Sequence, residues 1–205
     1  MTGNRPFVLG LTGSIGMGKS TTAGFFREFG IPVWDADAAV HRLYASGAAG
    51  TARIADLFPQ AINDSGVDRA ALRNIIATDP TAMGRIEALI HPLVARDRAE
   101  FVRAARKSGE WLVVVDIPLL FETGGESGVD ATLVVSAPAD VQRQRVLARA
   151  EMTPAHLARI LASQTPDPEK RARADYVIQT TSLAPARTAV AKLLAELKDG
   201  TGPDA

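Results

Sequence analysis

Gly13-Ser14-Ile15-Gly16-Met17-Gly18-Lys19-Ser20 fills every fixed position of the pattern G-x-x-x-x-G-K-[ST]. Glycines in such a stretch let the backbone curl until its N–H groups converge on an anion, and a following helix adds the positive end of its dipole. Lys19 would then reach the outer phosphates of a nucleotide, and Ser20 would offer its hydroxyl to a magnesium ion. A glycine-rich turn with a chance lysine is the other reading of the same residues. The flanks favour phosphate binding: Phe7-Val8-Leu9-Gly10-Leu11-Thr12 suits a short buried strand, and Lys19 through Phe29 reads as a helix stopped at Gly30. Gly13 to Thr21 are therefore the candidate nucleotide-binding residues, and which nucleotide they take is left open by the loop itself.

Carboxylates and arginines supply the remaining candidates. Asp35 and Asp37 are two apart, so along an extended chain they would point the same way. A carboxylate beside a transferred phosphoryl group can accept the proton of the attacking hydroxyl. A helix N-cap would account for one of these aspartates and leave the other. His41 lies one helical turn beyond Asp37 and is either an acceptor contact or an exposed or partner-satisfied histidine. Asp116 closes the apolar run Trp111-Leu112-Val113-Val114-Val115 and resembles a Walker B carboxylate, which holds magnesium directly or through water; many buried strands also end in Asp for turn reasons. Glu122 is a candidate support for the metal or the acceptor, or a solvated loop charge. Arg145 and Arg149 are spaced i, i+4 on an expected helix face, while Arg143 points elsewhere. They would stabilise the transferring phosphoryl group from a lid, unless they form a solvated basic face.

The elements that must position these groups alternate. After the loop helix, Ile31 to Trp34 is a brief second strand; Trp111 to Asp116, Ala131 to Ser136 and Tyr176 to Gln179 are further strands. Helices are expected from Ala139 to about Arg149, from the Thr153-Pro154 cap to Gln164, and from Ala184 to Lys198. Ala38 to about Ser108 reads as largely helical, with a turn signal at Asn63-Asp64-Ser65-Gly66 and a fresh helix start at His91-Pro92. That run is too long for one crossover helix and looks like an insertion. The expected fold is α/β, a parallel sheet covered by helices on both faces, with ligands outside the carboxyl ends of its strands. The phosphate loop, Asp35 with Asp37, and Asp116 all follow or end expected strands, so they reach one sheet edge.

Composition narrows the partners. Lys and Arg total 23 against 23 Asp and Glu, so no global field favours nucleic acid or an anionic membrane. Hydrophobic residues make up 46% of the 205, enough for a sizeable core. With no cysteine, disulfides, thiolate metal sites and a cysteine nucleophile are excluded. The polar start shows no signal-peptide pattern and no apolar run is long enough to cross a bilayer, so a soluble cytoplasmic protein is expected, a monomer or weak homo-oligomer.

Taken together, Leu11 to Thr21, Asp35-Ala36-Asp37, His91-Pro92, Asp116-Ile117-Pro118-Leu119-Leu120-Phe121-Glu122, Gln142, Arg145, Arg149, Gln164, Arg171, Ala174-Asp175 and Val177-Ile178 resemble the dephospho-CoA kinase family. The resemblance implies ATP-dependent phosphorylation of the ribose 3′-hydroxyl of dephospho-CoA, giving CoA and ADP in the final step of coenzyme A biosynthesis. It implies a P-loop NTPase core with three α/β/α layers over 1–37 and 110–198, a lid at about 140–165, a helical CoA-binding insertion over 38–109 and a flexible tail at 199–205. It makes Asp37 the general base, Lys19 the phosphate clamp and Arg149 with Arg145 the lid charge. Asp35, Asp37, His41, His91, Asp116 and Glu122 would lie among the substrate-binding residues, with Ser20 and Asp116 toward Mg2+. Two places depart from the family: Ser14 stands where a second glycine is often found, at a variable position of the loop pattern, and Gln179-Thr180-Thr181-Ser182 stands where an Asn-containing turn is usual.

A regulatory GTPase would need an Asn-Lys-x-Asp segment, and none occurs. The nearest competitor is another small-metabolite or nucleoside monophosphate kinase with the same loop, lid and base. What separates it from the first reading is the insertion, which selects the acceptor.

Overall fold

The computed structural model describes residues 5–200, so the expected tail falls, from residue 201, outside the described residues. In chain order the elements are β1 (Phe7–Thr12), α1 (Lys19–Glu28), β2 (Val33–Asp35), α2 (Ala36–Leu43), α3 (Ala49–Leu57), β3 (Ile62–Asn63), β4 (Gly66–Val67), α4 (Arg69–Thr78), α5 (Ala82–Lys107), β5 (Leu112–Asp116), β6 (Ala131–Ser136), α6 (Ala139–Leu147), α7 (Pro154–Ala162), α8 (Asp167–Arg173), β7 (Tyr176–Gln179) and α9 (Leu183–Lys198). Two compact units result: the residues up to Val33 with those from Ala105 on, and Trp34–Ala104. These boundaries fall a few residues before the 37/38 and 109/110 divisions expected from the sequence.

The first unit is built on a sheet of order β2-β5-β1-β6-β7, in which β1 pairs in parallel with β5 and β6, and β6 with β7. Every residue of β5 and β6 is buried, as continuous apolar runs require when helices cover both faces. Leu9, Leu11, Leu112, Val114, Leu133 and Val135 join Phe26 of α1 and Val190 and Leu193 of α9 in one core. The register sets Leu11 opposite both Asp116 and Leu133, which puts the end of β1 level with the carboxylate that ends β5. The second strand begins at Val33, not Ile31. Pro32 has no N–H for the ladder, yet its carbonyl accepts from Val114 N–H at 3.0 Å.

The second unit has its own core, in which Ile54, Phe58, Leu72, Ile86 and Ile90 come together from α3 to α5. The Asn63 to Gly66 turn signal closes a small hairpin, with Ile62 opposite Val67 and Asn63 Oδ1 accepting from Ser65 N–H at 2.9 Å. Asp68 caps α4 by accepting from the Ala71 and Ala70 N–H groups, and those bonds hold its carboxyl below the usual carboxylate value. The helix start expected at His91-Pro92 is not there, because α5 runs through Pro92. A proline inside a helix costs about 3 kcal/mol, through its missing N–H and the clash of its ring with a preceding carbonyl. Ile86 and Ile90 before it and Leu93 and Val94 after it recur at helical spacing on the core. Each apolar side chain fully buried there stabilises by about 1.5–3 kcal/mol, so packing on both sides outweighs the break.

Candidate active site

The loop between β1 and α1 is shaped by space as much as by flexibility. A Cβ on Gly13 would stand 2.6 Å from Val135 Cγ2 and 2.8 Å from the Val135 carbonyl oxygen, so no other residue fits against β6. Gly16 has φ 77 and would place a Cβ 2.5 Å from Val146 Cγ2 of α6. Gly18 is the N-cap of α1 and offers no side-chain cap, so the helix's first N–H groups are left for an anion. Thr180 Oγ1 donates to the Met17 carbonyl at 2.7 Å, and Ala137 N–H meets Met17 Sδ at 3.1 Å. The departure at 179–182 thus has a local function: Thr180, just past β7, is bonded to the phosphate loop.

At the loop's end Lys19 Nζ lies 2.5 Å from Asp116 Oδ1, with the two side chains 16% and 2% exposed. The pair unites the invariant lysine of the pattern with the strand-end carboxylate, which are 97 residues apart in the chain. Ser20 follows on the exposed first turn of α1. Among the described residues no three His, Cys, Asp or Glu side chains gather as a metal cage. One buried carboxylate and one hydroxyl are a hard-oxygen donor set of the kind that suits Mg2+, which keeps several waters and takes substrate phosphates as ligands.

Glu122 is not a solvated loop charge. Its side chain is 14% exposed, and Oε1 lies 2.8 Å from the Nζ of Lys170, which is wholly buried. Thr165 N–H donates to the same oxygen at 2.8 Å. Burial by itself would raise this carboxyl, but Lys170 and the Thr165 N–H outweigh it and hold it below the usual glutamate value. The Lys170 ammonium sits at ion-pair distance without an aligned hydrogen bond, and Glu122 Oε2 also lacks one. Lys170 belongs to α8, a helix the sequence reading passed over.

Arg145 and Arg149 do not share a helix face as expected, because α6 ends at Leu147. Arg149 N–H closes a turn onto the Val146 carbonyl, and the chain then passes Glu151 at φ 63 before Thr153 caps α7. Arg149 is exposed in this connection. Arg145 donates to the carbonyls of Thr180 and Thr181 at 2.5 and 3.1 Å, tying α6 to the turn that holds the loop.

In the second unit, Asp35 and Asp37 do not point the same way along one extended stretch. Asp35 ends β2 and caps α2, accepting from Ala38 N–H at 2.9 Å; Asp37 lies in the first turn of α2 and is exposed. The N-cap role takes one aspartate and leaves the other free for chemistry. His41 is one turn further along α2, its Nδ1 3.2 Å from the Arg69 guanidinium. His91 is exposed in mid-α5. Sequence reasoning missed Asp97, whose Oδ1 accepts from Trp34 Nε1 at 2.6 Å and Arg42 at 2.7 Å. No motif marks it; only the fold of this unit brings Asp97 of α5 to Trp34 of β2 and Arg42 of α2.

A glycine loop between a central parallel strand and a helix, with lysine and strand-end aspartate paired at its mouth, defines an α/β phosphate-loop nucleotide-binding protein. The Dephospho-CoA kinase (CoaE) family model matches residues 7–185. Dephospho-CoA kinase of Cereibacter sphaeroides is 56% identical over 195 residues, covering 95% of this chain and 98% of that protein. That of Jannaschia sp. is 54% identical, covering 95% and 99%. A crystal structure of a Thermus thermophilus protein superposes with a TM-score of 0.82 at 35% identity, covering 95% of this chain and 99% of the other. The chain belongs to the dephospho-CoA kinase family, and is a kinase that uses ATP to phosphorylate dephospho-CoA, the final step of coenzyme A biosynthesis.

Proposed function

We propose that the phosphate donor sits on Gly13 to Thr21 and the acceptor on the Trp34–Ala104 unit, with the ribose 3′-hydroxyl of dephospho-CoA attacking the outer phosphate of ATP. The Lys19 and Asp116 pair at the mouth of the glycine loop carries this reading, since it sets a cation and a carboxylate where a triphosphate would end. The loop N–H groups and the start of α1 hold the phosphates, and Lys19 neutralises charge on the outer ones. Asp37, exposed and relieved of capping duty by Asp35, accepts the proton of the 3′-hydroxyl. Arg149, on the α6 to α7 connection within the 140–165 lid, meets the charge that develops on the transferred group. Arg145 supports it by holding the Thr180 and Thr181 carbonyls. His41 and His91, with the Arg42 and Asp97 pair, belong to the acceptor-binding helices.

Ser20 and Asp116 would hold Mg2+, which would offset the negative charge of the phosphates. Glu122 serves as a structural anchor through its pair with Lys170. We place the protein in the cytoplasm on its lack of cysteine; no helix among the described residues is long and apolar enough to cross a membrane. An acceptor screen with Mg-ATP tests the whole reading. Turnover is expected with dephospho-CoA and not with AMP, CMP, shikimate or gluconate. Failure with dephospho-CoA alongside turnover of a monophosphate would overturn it.

A further inference from the structure

Ile15 sits inside the phosphate loop with both backbone polar atoms taken by side chains from distant segments. Its N–H donates to Gln164 Oε1 at 3.1 Å, and its carbonyl accepts from Gln142 Nε2 at 2.8 Å. A backbone N–H can only donate and a carbonyl can only accept, so these partners dictate the orientation of both side-chain amides. Gln142 is buried on α6 against the next loop residue, its own carbonyl 3.2 Å from where a Cβ on Gly16 would stand. Gln164 lies in the short junction between α7 and α8, and its neighbour Thr165 is bonded to Glu122, the partner of buried Lys170.

The loop needs such restraint. Glycine populates both signs of φ with similar ease, so the peptide joining Ile15 to Gly16 has little intrinsic preference against flipping. A flipped peptide would present a carbonyl where the loop offers an N–H, and repel the anion it should hold. Bonds on both sides of Ile15 remove that freedom, one from α6 and one from the α7 to α8 junction.

We propose that Gln142 and Gln164 are positioning residues for the donor substrate, a two-sided clamp on Ile15 that keeps the loop in its phosphate-binding shape. The Glu122 and Lys170 pair anchors the Gln164 arm. This rests on the loop being the ATP site. The clamp acts on one substrate only, so it separates the two Michaelis constants.

The test is steady-state kinetics of Gln142→Leu, Gln164→Leu and the double variant, varying ATP and dephospho-CoA in turn, with thermal melts alongside. Each single variant should raise KM for ATP about threefold to tenfold, the worth of one hydrogen bond, and leave KM for dephospho-CoA in place. The double variant should fall short of the product of the singles, because both arms hold one residue. Unchanged KM for ATP, a parallel rise in both constants, or multiplicative single effects would each overturn the clamp. Gln164 is only half-buried, so Gln164→Leu decides the matter even if Gln142→Leu folds poorly. Lys19→Ala, run in parallel, separates the two ideas. If it leaves ATP use intact, the assignment of the loop fails; if it impairs ATP use while both glutamine variants are silent, only the clamp fails.

Discussion

Lys170→Met should be the most destabilising single change on the α8 side of the core unit. Lys170 is wholly buried and Glu122 only 14% exposed, so removing the ammonium strands a carboxylate in low dielectric. Breaking a buried pair in this way costs about 3–5 kcal/mol. Glu122 keeps the Thr165 N–H and some access to water, which places the loss near the lower end, about 3 kcal/mol. For a chain of this size that corresponds to a fall in Tm of about 6–12 °C. Lys170→Met with Glu122→Gln removes the stranded charge and leaves an acceptor for Thr165, so the double variant should recover all but about 1 kcal/mol. Urea unfolding followed by tryptophan fluorescence reads both units, since Trp111 lies in the core unit and Trp34 in the other. A loss below about 1 kcal/mol for Lys170→Met, or a double variant no better than the single, would refute the argument that charge burial, not packing, dominates at this position.

The same pair sets a pH dependence. The Glu122 carboxyl is depressed in the folded protein, so its contribution is fully present above the unfolded glutamate value, about 4.3, and is lost as pH falls through the lower folded value. The stability gap between wild type and Glu122→Gln should therefore close in Tm measurements taken from pH 6 down to below pH 4; a constant gap would rule this out. Asp37→Asn should lower kcat by about 10²–10⁴ with ATP binding retained, and near wild-type turnover would remove Asp37 from the role of base. Lys19→Ala should weaken ATP use in both KM and kcat, as measured by initial rates, because its cation meets charge in the ground state and the transition state alike. Gly16→Ala places a methyl 2.5 Å from Val146 Cγ2 at φ 77, so isothermal titration should show ATP binding lost while circular dichroism stays native.

Much of the donor half was legible in the chain itself. The G-x-x-x-x-G-K-S spacing and the apolar runs of β1, β5 and β6 are local signals, and local signals specify local geometry. Asp116 was legible for the same reason, as a carboxylate closing a buried strand. Helix ends were less so: α6 stops at Leu147, two residues before Arg149, and α5 ignores Pro92 because apolar packing on both sides outweighs a local break. The hairpin at Asn63 to Gly66 carried its turn signal openly, though two strand residues on each side are too few to show alternation.

By itself, then, the sequence determined the phosphate loop, the parallel sheet that carries it, and the residue types able to do phosphoryl transfer. These follow from short-range spacing, which any extended run or helix turns directly into geometry. Only the tertiary structure decided what each polar group is committed to. Glu122 went to Lys170 48 residues later, Arg145 to the carbonyls past β7, and Gln142 and Gln164 to the two sides of Ile15. Such partners are chosen by packing, where an unpaired buried polar atom costs more than any local preference can resist, and no periodicity along the chain records that choice.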